Sequence, residues 1–399
     1  MNYEFEAKNQ QGQLLSGTIS AKNEAEAEKI LWQSKLSVVF LKPKKEHLAI
    51  LNLIFGRVNV RDKLLFCKQL ATMLEAGFPI MQALSVIILQ TENRRFREAI
   101  SGIILDLEQG HTFSSAIAKH PDIFSVVFIN AVKTGEASGK LSKVLKQLSS
   151  NMDKEYEFYS KLKGSLYYPV FVVVAMLAIG IVMLIKVIPQ LEQIFIESGV
   201  QLPWTTRLVM WISHFLQDFW WLIILILVGI FLMIRAWGKT PKGKHQLDLA
   251  KIKIPIISRL LLLVNMATFC RTFHLLASTG IPILNAIKIV SEVMTNSIYK
   301  EALSKVYFQV ERGVPLNVPL SQSKCFPAMV SRMIEVGEKT GKLDEMLESL
   351  TSFYELETDA EMKKLSSLLE PILIVIIGIG VAIMVFAIIM PIYQLAQVI

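Results

Sequence analysis

The chain contains the stretch FCKQLATMLEAGFPI at residues 66–80, and a close copy, FCRTFHLLASTGIPI, follows at residues 269–283. A second pair of matching stretches comes later, GEASGKL at residues 135–141 and GEKTGKL at residues 337–343. The offset is 203 residues for the first pair and 202 for the second, so only one residue is lost between them. A pairing maintained over this distance predicts a duplicated structural unit.

The duplication extends into apolar segments of membrane-spanning length. The offset of 202 persists at Pro169 with Pro371 and at Pro189 with Pro391. Three stretches are long and apolar enough to cross a bilayer, and we predict spans at residues 167–188, 216–236 and 369–391. No charge lies at the centre of a span, which argues against an ion or proton path.

Composition agrees with soluble domains joined to a few spans. The chain has 399 residues, 52% of them hydrophobic, with a mean hydropathy of +0.45 and a net charge of +8. It is too apolar for an ordinary soluble enzyme and too charged for a compact many-span transporter. The basic excess fits nucleic-acid binding or the positive-inside bias of membrane proteins. We favour the second explanation and expect no nucleic-acid partner.

The distribution of Lys and Arg predicts the orientation of the spans. Residues 189–215 carry a single basic residue, Arg207, and the tail after the third span is uncharged. The opposite flanks are basic and include Lys161, Lys163, Arg235, Lys239, Lys242, Lys244, Lys363 and Lys364. Cytoplasmic segments carry this excess. We therefore expect a multi-pass membrane protein with a cytoplasmic N-terminus.

The predicted fold is a mainly α membrane protein with two repeated cytoplasmic helical bundles, three transmembrane helices and a small α+β N-terminal module. The module has a ββαβ order, with strands at Tyr3–Ala7, Leu14–Ile19 and Ser37–Leu41 and a helix at Ala21–Ser34. The predicted boundaries are 1–50 for the module, 51–61 for a linker, 62–166 for repeat 1, 167–188 for the first span, 189–215 for a periplasmic loop, 216–236 for the second span, 237–254 for a basic linker, 255–368 for repeat 2, 369–391 for the third span and 392–399 for a periplasmic tail.

Glycine and proline divide each repeat into helices. Gly77 ends the first helix of repeat 1 and Pro79 opens the second. Further helices are expected over Arg94–Gln109, His111–His120 and Phe124–Thr134, and a long one runs from Lys140 into the membrane. Repeat 2 follows the same order.

The paired GExxGKL stretches are the most conspicuous motif. A phosphate-binding loop needs four residues between its glycines and then Lys-Ser or Lys-Thr, but here three residues intervene and Leu follows the Lys. We therefore predict tight helix–turn–helix corners, with the acid near the N-terminus of the next helix. A partner contact is the alternative. The candidate residues are Gly135, Glu136, Gly139, Gly337, Glu338 and Gly341.

Nothing in the sequence has the pattern of a catalytic, cofactor or metal site. The six histidines are scattered, and Cys67 and Cys270 occupy matching apolar positions typical of core residues. Acids crowd both long helices, where a solvated face is the default and a divalent cation the weaker alternative. These acids are Asp153, Glu155, Glu157, Glu355, Glu357, Asp359 and Glu361.

The third span adds candidate contacts within the bilayer. Gly378, Gly380 and Ala382 are small residues that permit close approach of another helix. Glu370 lies at the cytoplasmic end of the span, where it is a candidate contact at the membrane border.

Taken in order, these features resemble one family over nearly the whole chain. They are the duplicated helices with Gly-x-Pro, the paired GExxGKL turns, Tyr168-Pro169, Leu202-Pro203-x-Thr205 and Glu370-Pro371. Together they resemble the type II secretion protein F / type IV pilus assembly platform (GspF/PilC) family.

The resemblance implies an inner-membrane platform that couples a cytoplasmic hexameric ATPase to the assembly of pilin or pseudopilin subunits. It also implies contacts with other inner-membrane assembly proteins, self-association, and no enzymatic activity or cofactor of its own. The rival functions are a small membrane transporter or channel subunit and a membrane-bound ATP-using enzyme. Ion-flux and ATPase assays discriminate them.

Overall fold

The structure is a computed structural model that describes residues 2–8, 14–20, 28, 37–43, 58–187, 189 and 204–398. Three strands form an antiparallel sheet near the N-terminus, in the order β2-β1-β3. They are β1 (Asn2–Lys8), β2 (Leu14–Ser20) and β3 (Ser37–Pro43). The strands occupy the predicted segments, while the predicted helix Ala21–Ser34 lies almost wholly outside the described residues. The complete ββαβ module therefore stays a prediction.

The rest of the described chain forms helices joined by short turns and loops. The first repeat contains α1 (Val60–Glu75), α2 (Ile80–Gln90), α3 (Arg94–Glu108), α4 (Phe113–Ala118), α5 (Val126–Ala137) and α6 (Leu141–Val182). A π-helical turn, Met183–Val187, follows α6. Two connecting helices come next, α7 (Trp204–Trp237) and α8 (Pro241–Lys253). The second repeat contains α9 (Pro255–Ser278), α10 (Ile283–Val293), α11 (Ser297–Glu311), α12 (Asn317–Gln322), α13 (Ala328–Thr340) and α14 (Leu343–Val398).

The two repeats have the same helix order and the same core. Phe66 packs against Phe124 in repeat 1, with ring centroids 5.8 Å apart, and the matching Phe269 and Phe326 are 5.1 Å apart. Such aromatic pairs contribute about 0.5–1.5 kcal/mol beyond the area they bury. Cys67 and Cys270 are fully buried beside these rings in sequence, and burial raises the pKa of both thiols, to about 12 for Cys67. They remain protonated core residues.

The glycine that ends each α5-type helix adopts the same left-handed backbone in both repeats. The φ angle is +69° at Gly139 and +70° at Gly341. A left-handed residue reverses the chain after a helix and lets the following amides bond to the exposed carbonyls. Lys140 N donates to Gly135 O at 2.8 Å, and Lys342 N donates to Gly337 O at 3.0 Å.

The last helix of each repeat continues past a proline into the apolar segment. Proline lacks an amide hydrogen, so Pro169 leaves the carbonyl of Ser165, four residues earlier, without its helical donor. The hydroxyl of Ser366 on α14 donates to Ser165 O at 3.3 Å. A side chain of the second repeat thus replaces the hydrogen bond that proline removes from the first.

Four helices are long and apolar enough to span a bilayer, one more than the sequence predicted. The fourth covers Ile257–Ser278, within α9, and 56% of its most apolar window is buried inside the protein. The corresponding share is 0% for Ser213–Trp237 and 6% for the windows within Leu141–Lys186 and Leu343–Ala382. Burial against the protein explains why α9 is apolar without a need for lipid.

The connecting segments are more helical than the sequence predicted. Helix α7 begins at Trp204, inside the segment expected to be a periplasmic loop, and it is kinked at Phe219, where φ is −118° and ψ is 17°. The basic linker forms α8, whose Asp248 is buried and accepts a hydrogen bond from Ser297 N at the start of α11. Burial alone would raise the pKa of Asp248, but bonds from Ser297 and Lys251 outweigh it and lower the pKa.

Replacing Gly139 by Ala is expected to destabilise the protein by about 1–2 kcal/mol, since a Cβ is unfavourable in the left-handed region. The matched control is Gly164→Ala in α6, where the added Cβ meets nothing within 4 Å. This control is expected to stabilise the helix by about 0.5–1 kcal/mol. Thermal unfolding of the purified full-length protein measures both, and equal effects would contradict the assignment.

Candidate functional site

The acid of each GExxGKL motif binds the backbone of a short helix in its own repeat. Glu136, in the last turn of α5, accepts hydrogen bonds from Phe113 N at 2.7 Å, from Ser114 N at 3.0 Å and from Ser114 Oγ at 2.6 Å. Glu338 accepts from Leu316 N at 3.0 Å and from Asn317 N at 3.2 Å. These amides lie at the start of α4 and α12, where the helix leaves its first donors unpaired.

The expected position of these acids was therefore wrong in one respect. We expected each carboxylate near the N-terminus of the helix that follows the turn, but it binds the N-terminus of the helix that precedes α5 or α13. The physical reason is that the short helix packs across its neighbour and presents unpaired amides and a positive dipole end to the carboxylate. Each acid thus links two helices of its own repeat by hydrogen bonds.

The first glycine of each motif also has a different place from the one predicted. Gly135 and Gly337 lie inside α5 and α13, and only Gly139 and Gly341 lie at the corner. A Cβ on Gly135 would be 2.9 Å from Val144 Cγ2, and one on Gly337 would be 2.8 Å from Leu343 Cα. Glycine is needed there because the next helix passes too close for any side chain.

The candidate contacts of the third span lie on the apolar part of α14. A Cβ added to Gly378 or Gly380 would meet nothing within 4 Å, and Ala382 is exposed. Glu370 belongs to the helical backbone of α14, but its side chain is outside the described part of the structure. These residues and the acidic turns do not form one cluster, and their roles toward partners stay predictions.

Arg271 connects the two repeats through contacts that the sequence did not predict. We call the group of Arg271, Glu355 and Phe158 the seam. Its guanidinium binds Glu355 through Nε at 3.0 Å and also through a second, shorter contact from Nη2. The guanidinium also lies over the ring of Phe158 in α6 of the other repeat, 4.8 Å from the ring centroid. The side chain of Arg271 is only 5% exposed. An arginine suits this position because it can pair with a carboxylate while stacking on an aromatic ring.

The matching ion pair of repeat 1 has a different environment. Lys68 is the counterpart of Arg271 and lies 3.9 Å from Asp153, the counterpart of Glu355, but its side chain is 65% exposed. The Lys-to-Arg difference at this position is one of several between the two stretches, so it did not single out the seam. A cavity of about 340 Å³ opens beside Arg271, with Lys63, Asp122 and Glu155 also in its wall.

Among the residues that the structure describes, no three His, Cys, Asp or Glu side chains are placed to hold a metal ion. The carboxylates of Glu136, Glu338 and Glu355 are engaged in hydrogen bonds within the protein. These hydrogen bonds hold the helices of each bundle in fixed positions.

Comparison with known proteins agrees with this architecture. The profile described as type II secretion system (T2SS), protein F matches twice, at residues 66–189 and 269–391. The profile described as type II secretion system protein F, N-terminal domain matches residues 1–42. The two matches of the first profile have the same spacing as the internal repeat.

Full-length relatives come from two kinds of machine. The type IV pilus assembly protein PilC of Thermus thermophilus is 34% identical over 397 residues, 98% of each chain. PilC of Pseudomonas aeruginosa is 31% identical over 361 residues, 90% of this chain and 96% of the relative. The type II secretion system protein F of Pseudomonas aeruginosa is 27% identical over 401 residues, 100% of this chain and 99% of the relative.

Replacing Glu136 by Gln is expected to destabilise the protein by about 1.5–3 kcal/mol, because an amide cannot accept from all three donors and loses the charge. Glu338→Gln should act in the same direction. The control is Glu345→Gln, an exposed acid paired with the exposed Lys342, with an expected cost below about 1 kcal/mol. Thermal unfolding provides the measurement. Unchanged stability of Glu136→Gln together with loss of function would instead assign Glu136 to a partner contact.

Replacing Arg271 by Ala is expected to destabilise the protein by about 3 kcal/mol, because it leaves Glu355 unpaired and removes the stacking on Phe158. The matched control is Lys68→Ala at the equivalent, exposed position of repeat 1, with an expected cost below about 1 kcal/mol. Denaturant titration of the two variants compares them directly. Equal costs would show that the seam contributes no more than a surface ion pair.

Proposed function

The chain belongs to the type II secretion system protein F family, and we propose that it is an inner-membrane platform protein of a type IV pilus or type II secretion machine. In this role it couples a cytoplasmic hexameric ATPase to the assembly of pilin-like subunits. The observation that carries the proposal is the pair of helices, α6 and α14, that continue unbroken from a folded bundle into an apolar segment.

These two helices supply a mechanical connection between cytoplasm and membrane. With 42 and 56 residues they are about 63 and 84 Å long, against a hydrocarbon core of about 30 Å. Backbone hydrogen bonds inside a helix resist bending, so movement imposed on either bundle is transmitted to its apolar end. The contacts of Ser366 with Ser165 and of Arg271 with Phe158 make the two repeats move together.

We propose three spans, the boundaries given above, and a cytoplasmic N-terminus. The basic flanks support this orientation, because cytoplasmic segments near spans are enriched in Lys and Arg. The burial of α9 supports its place in the second bundle. Apolar, exposed surfaces on α6, α7 and α14 support lipid or partner contacts at these helices.

The two bundles present matching apolar residues that are suited to a repeated partner. Leu105 on α3 and Phe308 on α11 occupy equivalent positions, and their exposures are 57% and 58%. We propose that this pair faces the ATPase. The small residues Gly378, Gly380 and Ala382 would admit a helical pilin-like subunit at α14, with Glu370 at the border. For the acidic turns we favour the structural role, since their carboxylates already have internal partners.

The rival functions predict different measurements. A transporter or channel subunit would carry an ion flux in liposomes, and an ATP-using enzyme would hydrolyse ATP without any partner. We expect neither activity from the purified protein. We propose no cofactor and no catalytic residue.

Site-specific photocrosslinking in filament-assembling cells tests the platform function. A photoreactive residue at Leu105 or Phe308 is expected to capture the assembly ATPase, and one at Gly378 is expected to capture a pilin-like subunit. Unirradiated cells and cells lacking the pilin-like subunits are the controls. If neither partner is captured while the purified protein passes ions or hydrolyses ATP, the proposed function is wrong.

A further inference from the structure

The repeats contact one another through several pairs of helices, among them α6 with α14, α9 with α6 and α10 with α5. Helix α10 of repeat 2 lies beside α5 of repeat 1, and the two helices line a cleft of about 640 Å³. On this face of repeat 2, Ile281 is 6% exposed and Ile289 is equally buried. The cleft wall from repeat 1 includes Lys133 and Thr134.

The equivalent faces at the other ends of the two repeats are exposed. Phe78, the counterpart of Ile281, is 52% exposed, and Val86, the counterpart of Ile289, is also exposed. On α13, the counterpart of α5, Val336 is 50% exposed and Met329 is exposed as well. Helix α2 is the counterpart of α10, and α13 is the counterpart of α5. The faces that meet between α10 and α5 are therefore exposed on α2 and α13.

The exposed face of α2 is more apolar than the matching face of α10. Leu89 on α2 is 85% exposed at a position where α10 carries Glu292. Helix α2 has no charged residue along Ile80–Gln90. Exposed apolar surface of this kind on a cytoplasmic domain usually marks an interaction site.

The exposed face of α13 is mixed in character. Val336 on α13 replaces Thr134 of α5. On α13, by contrast, Arg332, Glu335 and Lys339 stand where the cleft face of α5 has Asn130, Lys133 and Ala137.

The contact between α10 and α5 has no symmetric counterpart between α2 and α13 of the same chain. If a local two-fold axis related the repeats, α2 would meet α13 within the chain just as α10 meets α5, and both faces would be buried. Because only one of the two contacts forms, the relation is head-to-tail and leaves one free face at each end. A head-to-tail relation continues from one molecule to the next.

We propose that α2 of one copy of this chain docks against α13 of a second copy, in the manner of α10 against α5 within one copy. This interface would supply the surface for the self-association expected of a platform protein, so the proposal rests on the proposed function. In the proposed topology α6 and α14 cross the membrane in the same direction. A second copy placed by the same relation therefore keeps its spans in the same bilayer.

Cysteine crosslinking between differently tagged copies tests the interface. The background is full-length protein in membranes with Cys325→Ser, while buried Cys67 and Cys270 are left in place. Leu89→Cys in one copy and Val336→Cys in the other are expected to yield a mixed dimer with a short bismaleimide. Either variant alone is expected to yield none. The control pair is Leu105→Cys with Phe308→Cys, which has similar exposure outside the proposed surface.

A substitution supplies the second arm of the test. Leu89→Glu places at α2 the residue that α10 carries naturally, so the bundle should fold normally, which circular dichroism and thermal unfolding check. It is expected to weaken self-association by about tenfold or more through lost apolar burial. Leu356→Glu, at a residue that is 69% exposed and outside both proposed surfaces, is the control and should leave self-association unchanged.

Other crosslinking outcomes would overturn the interface. A dimer formed by Leu89→Cys alone would indicate a two-fold contact. A photoreactive residue at position 89 that captured the N-terminal module of the same chain, lipid or another protein would assign the α2 face to that occupant. Loss of the copy-to-copy crosslink with intact capture of the ATPase and pilin-like subunit would refute this interface and leave the platform function standing.

Discussion

The structure depends on one constraint: a chain that enters lipid must satisfy its backbone hydrogen bonds from within. A helix does so, and the final helix of each repeat therefore crosses the bundle–membrane border without a break. The shorter helices of each bundle pack around the N-terminal half of this long helix. The Schellman turn at Gly139 or Gly341 begins it, and the close approach at Gly135 or Gly337 fixes its contact with the preceding helix.

Sequence patterns predicted the helices well because their signals are local. Glycines and prolines at matching offsets mark where helices end and begin, and the duplicated stretches fix the repeat. The orientation of Glu136 could not be predicted, since its partners lie more than twenty residues away in a separate helix. The helix at Trp204 was missed because its polar start resembles a loop, and it gains its apolar character only further along.

The seam was hidden from the sequence for a different reason. Lys68 with Asp153 and Arg271 with Glu355 are the same ion pair in two copies, and residue type alone does not tell which copy is buried. Burial depends on where one repeat meets the other, and that relation is a property of the assembled protein. The same reason explains why matching residues such as Phe78 and Ile281 differ so much in exposure.

The hydrogen bond from Ser366 to Ser165 fixes the axial position of α14 relative to α6 at the point where both helices enter their apolar segments. Pro169 leaves the Ser165 carbonyl dependent on a donor from a neighbouring helix, so the bond exists only at one axial position of α14. A slide of α14 by one residue, about 1.5 Å, would remove the hydroxyl and leave the carbonyl unpaired at a cost of about 1–3 kcal/mol. The bond therefore favours the axial register of α14 against α6 that the structure shows.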